Sequence, residues 1–149
     1  MYANVILLIL AVLVGMVIPV QIGLNSILDT QLKNPFFSSF LVFLVGAGGI
    51  LLSALLAPQP IPSSSLIKGS HWWSYLGGLL GAVYILSLII LSQYINIGLL
   101  SILALAGQLL MSVVVDHYGW FGSEVNPING MKILGLLCIG LGVYLLSKF

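Results

Sequence analysis

Apolar residues run along this chain in blocks of about 20, the length of helix that crosses the hydrocarbon of a bilayer. Short polar clusters separate the blocks. The first block covers residues 3–28 and stops at Asp29, where "DTQLKNP" (29–35) predicts a turn. The second covers 36–57, and "PQPIPSSSLIKGS" (58–70) follows as a loop too broken for a membrane helix. From Gly69 to Val115 there is no Asp, Glu, Lys or Arg over 47 residues. As one helix that stretch would be about 70 Å long, more than twice a bilayer. It must fold back, and "SQYINIG" (92–98) is its only polar interruption. Blocks three and four are therefore 72–94 and 98–115. After "DHYGWFGSEVNPING" (116–130) the fifth runs over 131–147. The pattern predicts an all-α membrane protein of five transmembrane helices, a single integral membrane domain over 1–149. The first block lacks a basic flank and a small-residue cleavage site, so it reads as a retained span.

Composition agrees. Hydrophobic residues make up 60% and charged residues 5%, and the mean hydropathy is +1.23. A water-soluble fold could not hide so much apolar surface. The net charge of +1 and the lack of arginine argue against nucleic acid as a partner and leave the lipid bilayer as the surroundings. Cys138 is alone and cannot form an internal disulfide. His71-Trp72-Trp73 and Tyr118, Trp120 and Phe121 fall where an interfacial aromatic belt would.

Polar residues inside the spans are the candidate chemistry. Pro19 lacks an N–H, so the carbonyl of Gly15 loses its helical partner, and a helix break is expected at Gly15 and Pro19. Gln21 and Asn25, four apart, share a helix face just beyond. An opened carbonyl beside two amides suits a polar ligand near the midplane; the alternative is amides that merely bond neighbouring helices. In span four, Ser101, Gln108, Ser112 and Asp116 form one polar stripe. Gln21, Asn25, Tyr84, Gln108 and Ser112 are thus the candidate substrate-binding residues. Gly77 and Gly81, and Gly49 and Ser53, have the small-residue spacing of helix packing or dimer contacts. His117 beside Asp116 is spaced as an interfacial residue, and no metal site, cofactor or catalytic motif is expected, so the chain does not read as an enzyme. With Asp29 taken as a span terminus, no titratable carboxylate lies well inside a span, and transport driven through a buried carboxylate is not expected.

Five spans place the termini on opposite sides. Lys68 and Lys132 lie on one side, Lys33 and Lys148 on the other. Orientation follows the imbalance of basic residues between short loops, and here there is none. Either a bias comes from elsewhere, or the chain inserts both ways and pairs with an inverted copy of itself.

"PVQIGLNSIL", "FLVFLVG", "HWWSYLGGLLGAVYILS" and "ALAGQLLMSVVVDHYGWFG" resemble the YdcZ-like inner-membrane proteins of the drug/metabolite transporter superfamily. The likeness covers essentially the whole chain. It implies a bacterial inner-membrane protein equivalent to half of an inverted-repeat ten-helix transporter, acting as an antiparallel homodimer of dual topology. Two departures limit what is carried over. The turn before span four reads "YINIG", where relatives usually have a proline and often a basic residue. The small multidrug exporters of the superfamily use a glutamate in helix one, which span one as drawn here lacks. The expected function is transport of a small polar solute; the alternatives are an amide-lined channel or a non-transporting accessory subunit.

Overall fold

The computed structural model describes residues 2–58 and 62–148. Helix α1 spans Tyr2–Leu32, α2 Pro35–Leu56, α3 Ser64–Gly69, α4 Leu76–Leu91, α5 Ile97–Tyr118 and α6 Gly130–Lys148. A 3₁₀ turn at Trp72–Tyr75 leads into α4, and another at Trp120–Gly122 follows α5. Five helices are long and apolar enough to cross a membrane: Val5–Leu32, Pro35–Leu56, Trp72–Leu91, Ile97–Tyr118 and Gly130–Lys148. Lipid thickness sets these lengths, which is why hydropathy alone came close to them.

Asparagine caps three of the helix starts, since its short side chain can accept from the orphan N–H groups of a first turn. Asn34 accepts from Phe37 N at 3.1 Å, with Pro35 in the first helical position. Asn96 accepts from Leu99 N at 2.8 Å, and Asn129 from Lys132 N at 2.9 Å. Helix α5 ends at Gly119, whose φ of 65° is the left-handed conformation that glycine adopts without penalty. Lys33 closes α1 in the same conformation, φ 52°, and its N–H donates to Asp29 O at 2.7 Å.

Three expectations need correction. Helix α1 does not break at Gly15 and Pro19; it is helical throughout with Pro19 inside it. One missing hydrogen bond does not terminate a helix that retains its bonds on either side. Helix α1 also does not stop at residue 28 but runs a further turn, taking Asp29 into the helix. Finally, the expected loop over 58–70 contains the short helix α3; its residues 59–61 lie outside the described ones.

Packing divides the chain into two units. One comprises Met1–Pro19 with Ile95–Phe149, and the other is Val20–Tyr94. In the first, α5 packs against α6. Their connection is tied down by Asn126 N to Asp116 O at 2.8 Å, Ile128 N to His117 Nδ1 at 3.1 Å and Lys132 Nζ to Asn126 O at 2.6 Å. His117 is thus engaged as a loop pin. In the second unit α2 packs against α4. Among the described residues only Ile22, Leu88, Ile89 and Leu100 are buried apolar side chains. Four polar side chains are equally buried: Asn25, Asp29, Ser38 and Ser39, all within Val20–Tyr94. An interior as polar as it is apolar, surrounded by exposed leucine, valine and isoleucine, suits a helix bundle in lipid, where outward faces need no polar cover.

Candidate functional site

The polar interior of the second unit is built on one face of α1. Ile22, Asn25 and Asp29 are spaced three and four residues apart, and all three are buried. The turn at Lys33 and Asn34 then sends α2 back, bringing Ser38 opposite Asp29. Ser38 Oγ lies 3.3 Å from Asp29 Oδ1 and 2.9 Å from Asn34 O. Ser38 is completely buried. Beyond the end of α4, Gln93 Nε2 donates to Asp29 Oδ2 at 3.1 Å. One carboxyl group, only 6% exposed, therefore joins α1, α2 and the turn after α4. Beside it opens a pocket of about 310 Å³ whose walls include Thr30, Lys33, Ile90 and Tyr94. Among the described residues no ion pair joins Asp29 to Lys33; both partners of the carboxyl are neutral.

Asn25 lies one turn deeper. It is only 7% exposed, and among the described residues no fully buried side-chain nitrogen or oxygen lacks a hydrogen-bond partner. A polar side chain at this depth can serve a neighbouring helix or a polar solute. Gln21, a further turn along, is exposed at a cleft of about 260 Å³ formed with Phe43, Gly46, Ala47 and Ile50 of α2 and Ile85 of α4. A cleft of that size admits only a small molecule.

The remaining predicted residues are placed as follows. Tyr84 stands on α4, about one-third exposed. Gln108 and Ser112 belong to α5 in the other unit, where both are exposed. The Ser112 hydroxyl donates to Leu109 O at 2.9 Å, and that of Ser53 to Gly49 O at 2.8 Å, so both serve their own helices. A methyl group at Gly81 would meet Phe43 at 4.0 Å, an ordinary contact between α4 and α2, whereas Gly77 and Gly49 face open space.

The sequence missed the Asp29 cluster, which sits in the last turn of α1. The residue was used as a boundary marker because a charge in lipid is costly. Ser38 and Gln93 remove that objection by covering it. One signal was available: Asp29 continues the four-residue series of Gln21 and Asn25.

A family model described as "Putative inner membrane exporter, YdcZ" matches residues 6–145. No curated protein matches the chain, and no solved structure does.

Proposed function

The chain belongs to the YdcZ family of inner-membrane proteins, and we propose that it exports a small polar solute as one half of an antiparallel homodimer. The observation that carries the solute reading is the small cleft at Gln21, with the largely buried Asn25 one helical turn away. A small molecule with an apolar body and one or two hydrogen-bonding atoms fits a cleft walled by Phe43, Ala47, Ile50 and Ile85 with an amide at its rim. Gln108 and Ser112 on the α5 stripe are assigned to the same pathway on their sequence pattern.

The lysine balance supports the inverted pair. Lys33 and Lys148 oppose Lys68 and Lys132, so neither orientation is favoured by charge. Two oppositely inserted copies would supply ten helices related by an axis in the membrane plane, the plan that many transporters build into one chain. Gly49 and Gly77, which face open space in the single chain, leave room for a second backbone to approach.

The test uses the purified chain in lipid vesicles and a panel of small neutral and zwitterionic solutes. A transported solute should show saturable flux and exchange. Gln21→Leu and Gly46→Leu, the second of which fills the cleft, should each reduce that flux at least tenfold while the helical content and dimer remain. Unchanged flux in both folded variants would remove the cleft from the pathway. Fast flux that does not saturate would instead favour the channel.

A further inference from the structure

The Gln21 cleft makes no use of the pocket beside Asp29. Gln93 Nε2 donates to Asp29 Oδ2 at 3.1 Å. Ser38 Oγ donates to Asp29 Oδ1 at 3.3 Å, but shares its one hydrogen with Asn34 O at 2.9 Å. The carboxylate thus accepts one full bond and one shared bond, whereas its two oxygens offer about four lone-pair positions. Both donors are uncharged, and Asp29 is only 6% exposed, a setting in which an anion gains most from a cationic partner. Lys33 is four residues on and lines the same pocket, yet among the described residues it makes no ion pair with Asp29. The backbone explains this. Lys33 leaves the helix at φ 52°, off the face where an i, i+4 pair would meet. One pocket of about 310 Å³ therefore carries a buried carboxylate and an exposed ammonium that do not satisfy each other.

We propose that this pocket binds a zwitterion in which a primary ammonium is joined by a short chain to an acid group. That chemistry belongs to a phosphoethanolamine lipid headgroup and equally to a free aminoalkyl phosphate. The ligand's ammonium, with three N–H donors, fills the open positions on Asp29 and supplies the missing positive charge. Its acid group meets the Lys33 ammonium, and Pro35 and Ile90 give the connecting carbons apolar walls. The backbone favours the same polarity. The C-terminal end of α1, with Asp29, carries partial negative charge, and the N-terminal end of α2, at Pro35, carries partial positive charge. Thr30 Oγ1 already donates to Ile27 O at 2.7 Å, so the charged pair governs recognition. One candidate span ends at Leu32 and the next begins at Pro35, which sets the pocket at headgroup level. The site is separate from the Gln21 cleft and does not depend on the transport reading.

The experiment measures binding and no flux, so its failure is distinct from failure of the transport assay. The full chain is purified in detergent holding equal amounts of phosphatidylethanolamine, phosphatidylcholine and phosphatidylglycerol, and retained lipid is counted by native mass spectrometry. O-phosphoethanolamine and O-phosphocholine are titrated separately against thermal unfolding, since a ligand of the folded state raises its midpoint. The quaternary ammonium of the choline compounds has no N–H to donate to Asp29. A headgroup ligand should appear as retention of phosphatidylethanolamine over phosphatidylcholine by at least about fivefold. A free ligand should appear as protection by O-phosphoethanolamine and not by O-phosphocholine. Either pattern supports the site and tells the source. Asp29→Asn should erase the preference for the primary amine. Lys33→Gln should weaken binding roughly threefold, as for an exposed charge, with the amine preference kept. Asp116→Asn should change neither. Equal retention of the three lipids with no response to either free compound would overturn the proposal. Retention led by phosphatidylglycerol would do the same, because a lysine alone would then account for it. So would an amine preference that survives in folded Asp29→Asn. If that variant does not fold, Lys33→Gln decides, and undiminished binding refutes the site.

Discussion

Asn25 and Ser38 are both polar and both buried, yet their energetics are opposed. Ser38 is matched on each side, by Asn34 O and by Asp29, so truncating it strands a buried partner. Asn25 shares its helix face with Ile22, one turn from the Gln21 cleft. Asn25→Leu exchanges a polar side chain for an apolar one among apolar neighbours, so it should leave the unfolding midpoint in detergent unchanged or raise it, while abolishing solute flux. A structural role for Asn25 predicts the reverse, a clear loss of stability with flux falling only in proportion to folded protein. Unfolding and flux measured on one preparation separate the two. The difference between these residues also marks what the sequence could express. Asn25 was legible because helical spacing linked it to Gln21 within one span. Ser38 and Gln93 were not, because their role depends on Asp29 being covered, a three-body arrangement spread over 64 positions that no local pattern records.

At the scale of elements, the spans were readable to within a few residues and their ends were not. Hydrocarbon thickness imposes length, so hydropathy locates a helix; its last turn is decided by capping and by what covers any charge. Reading Asp29 and Asp116 as stops shortened α1 and α5, although the helices continue to Leu32 and Tyr118. The true stop of α5 is Gly119. A methyl group there would lie 2.7 Å from Val125 Cγ2 and 3.3 Å from Ser123 O, on a backbone at φ 65°. Gly119→Ala should therefore cost at least about 1 kcal/mol from the left-handed conformation alone, with the contact adding to it. Gly46→Ala is the matching control: a methyl group there meets nothing within 4 Å, so stability should hold or rise through better helix propensity. Equal losses for both substitutions, read from denaturant unfolding in detergent, would contradict this account of how α5 ends. Proline tells the complementary story. Pro19 predicted a break because one hydrogen bond is lost, but the rest of a 31-residue helix absorbs that loss.

At the scale of the whole molecule, if all five candidate spans of this inner-membrane protein cross, two of its four lysines fall on each face of the membrane, and that balance is easily tipped. Orientation depends on small differences in basic residues near the ends of spans. Gln31 lies at the exposed end of α1 on the Lys33 side, and Ser65 is exposed in α3 on the Lys68 side. Gln31→Lys should turn the first face towards the cytoplasm, and Ser65→Lys the opposite face. With Cys138 exchanged for serine and a cysteine added at the terminus, the parent chain should label from both sides of intact cells in comparable fractions. Each lysine variant should label predominantly from one side, and the two variants from opposite sides. If function requires an inverted pair, each variant alone should lose transport, and the two expressed together should regain it. One-sided labelling of the parent would rule out dual topology whatever the variants do. Transport by a single one-sided variant would show that a parallel assembly suffices, and the pathway would then have to be completed without an inverted copy. Recovery only on co-expression would tie activity to opposed insertion, since both variants carry the same buried residues and the same cleft.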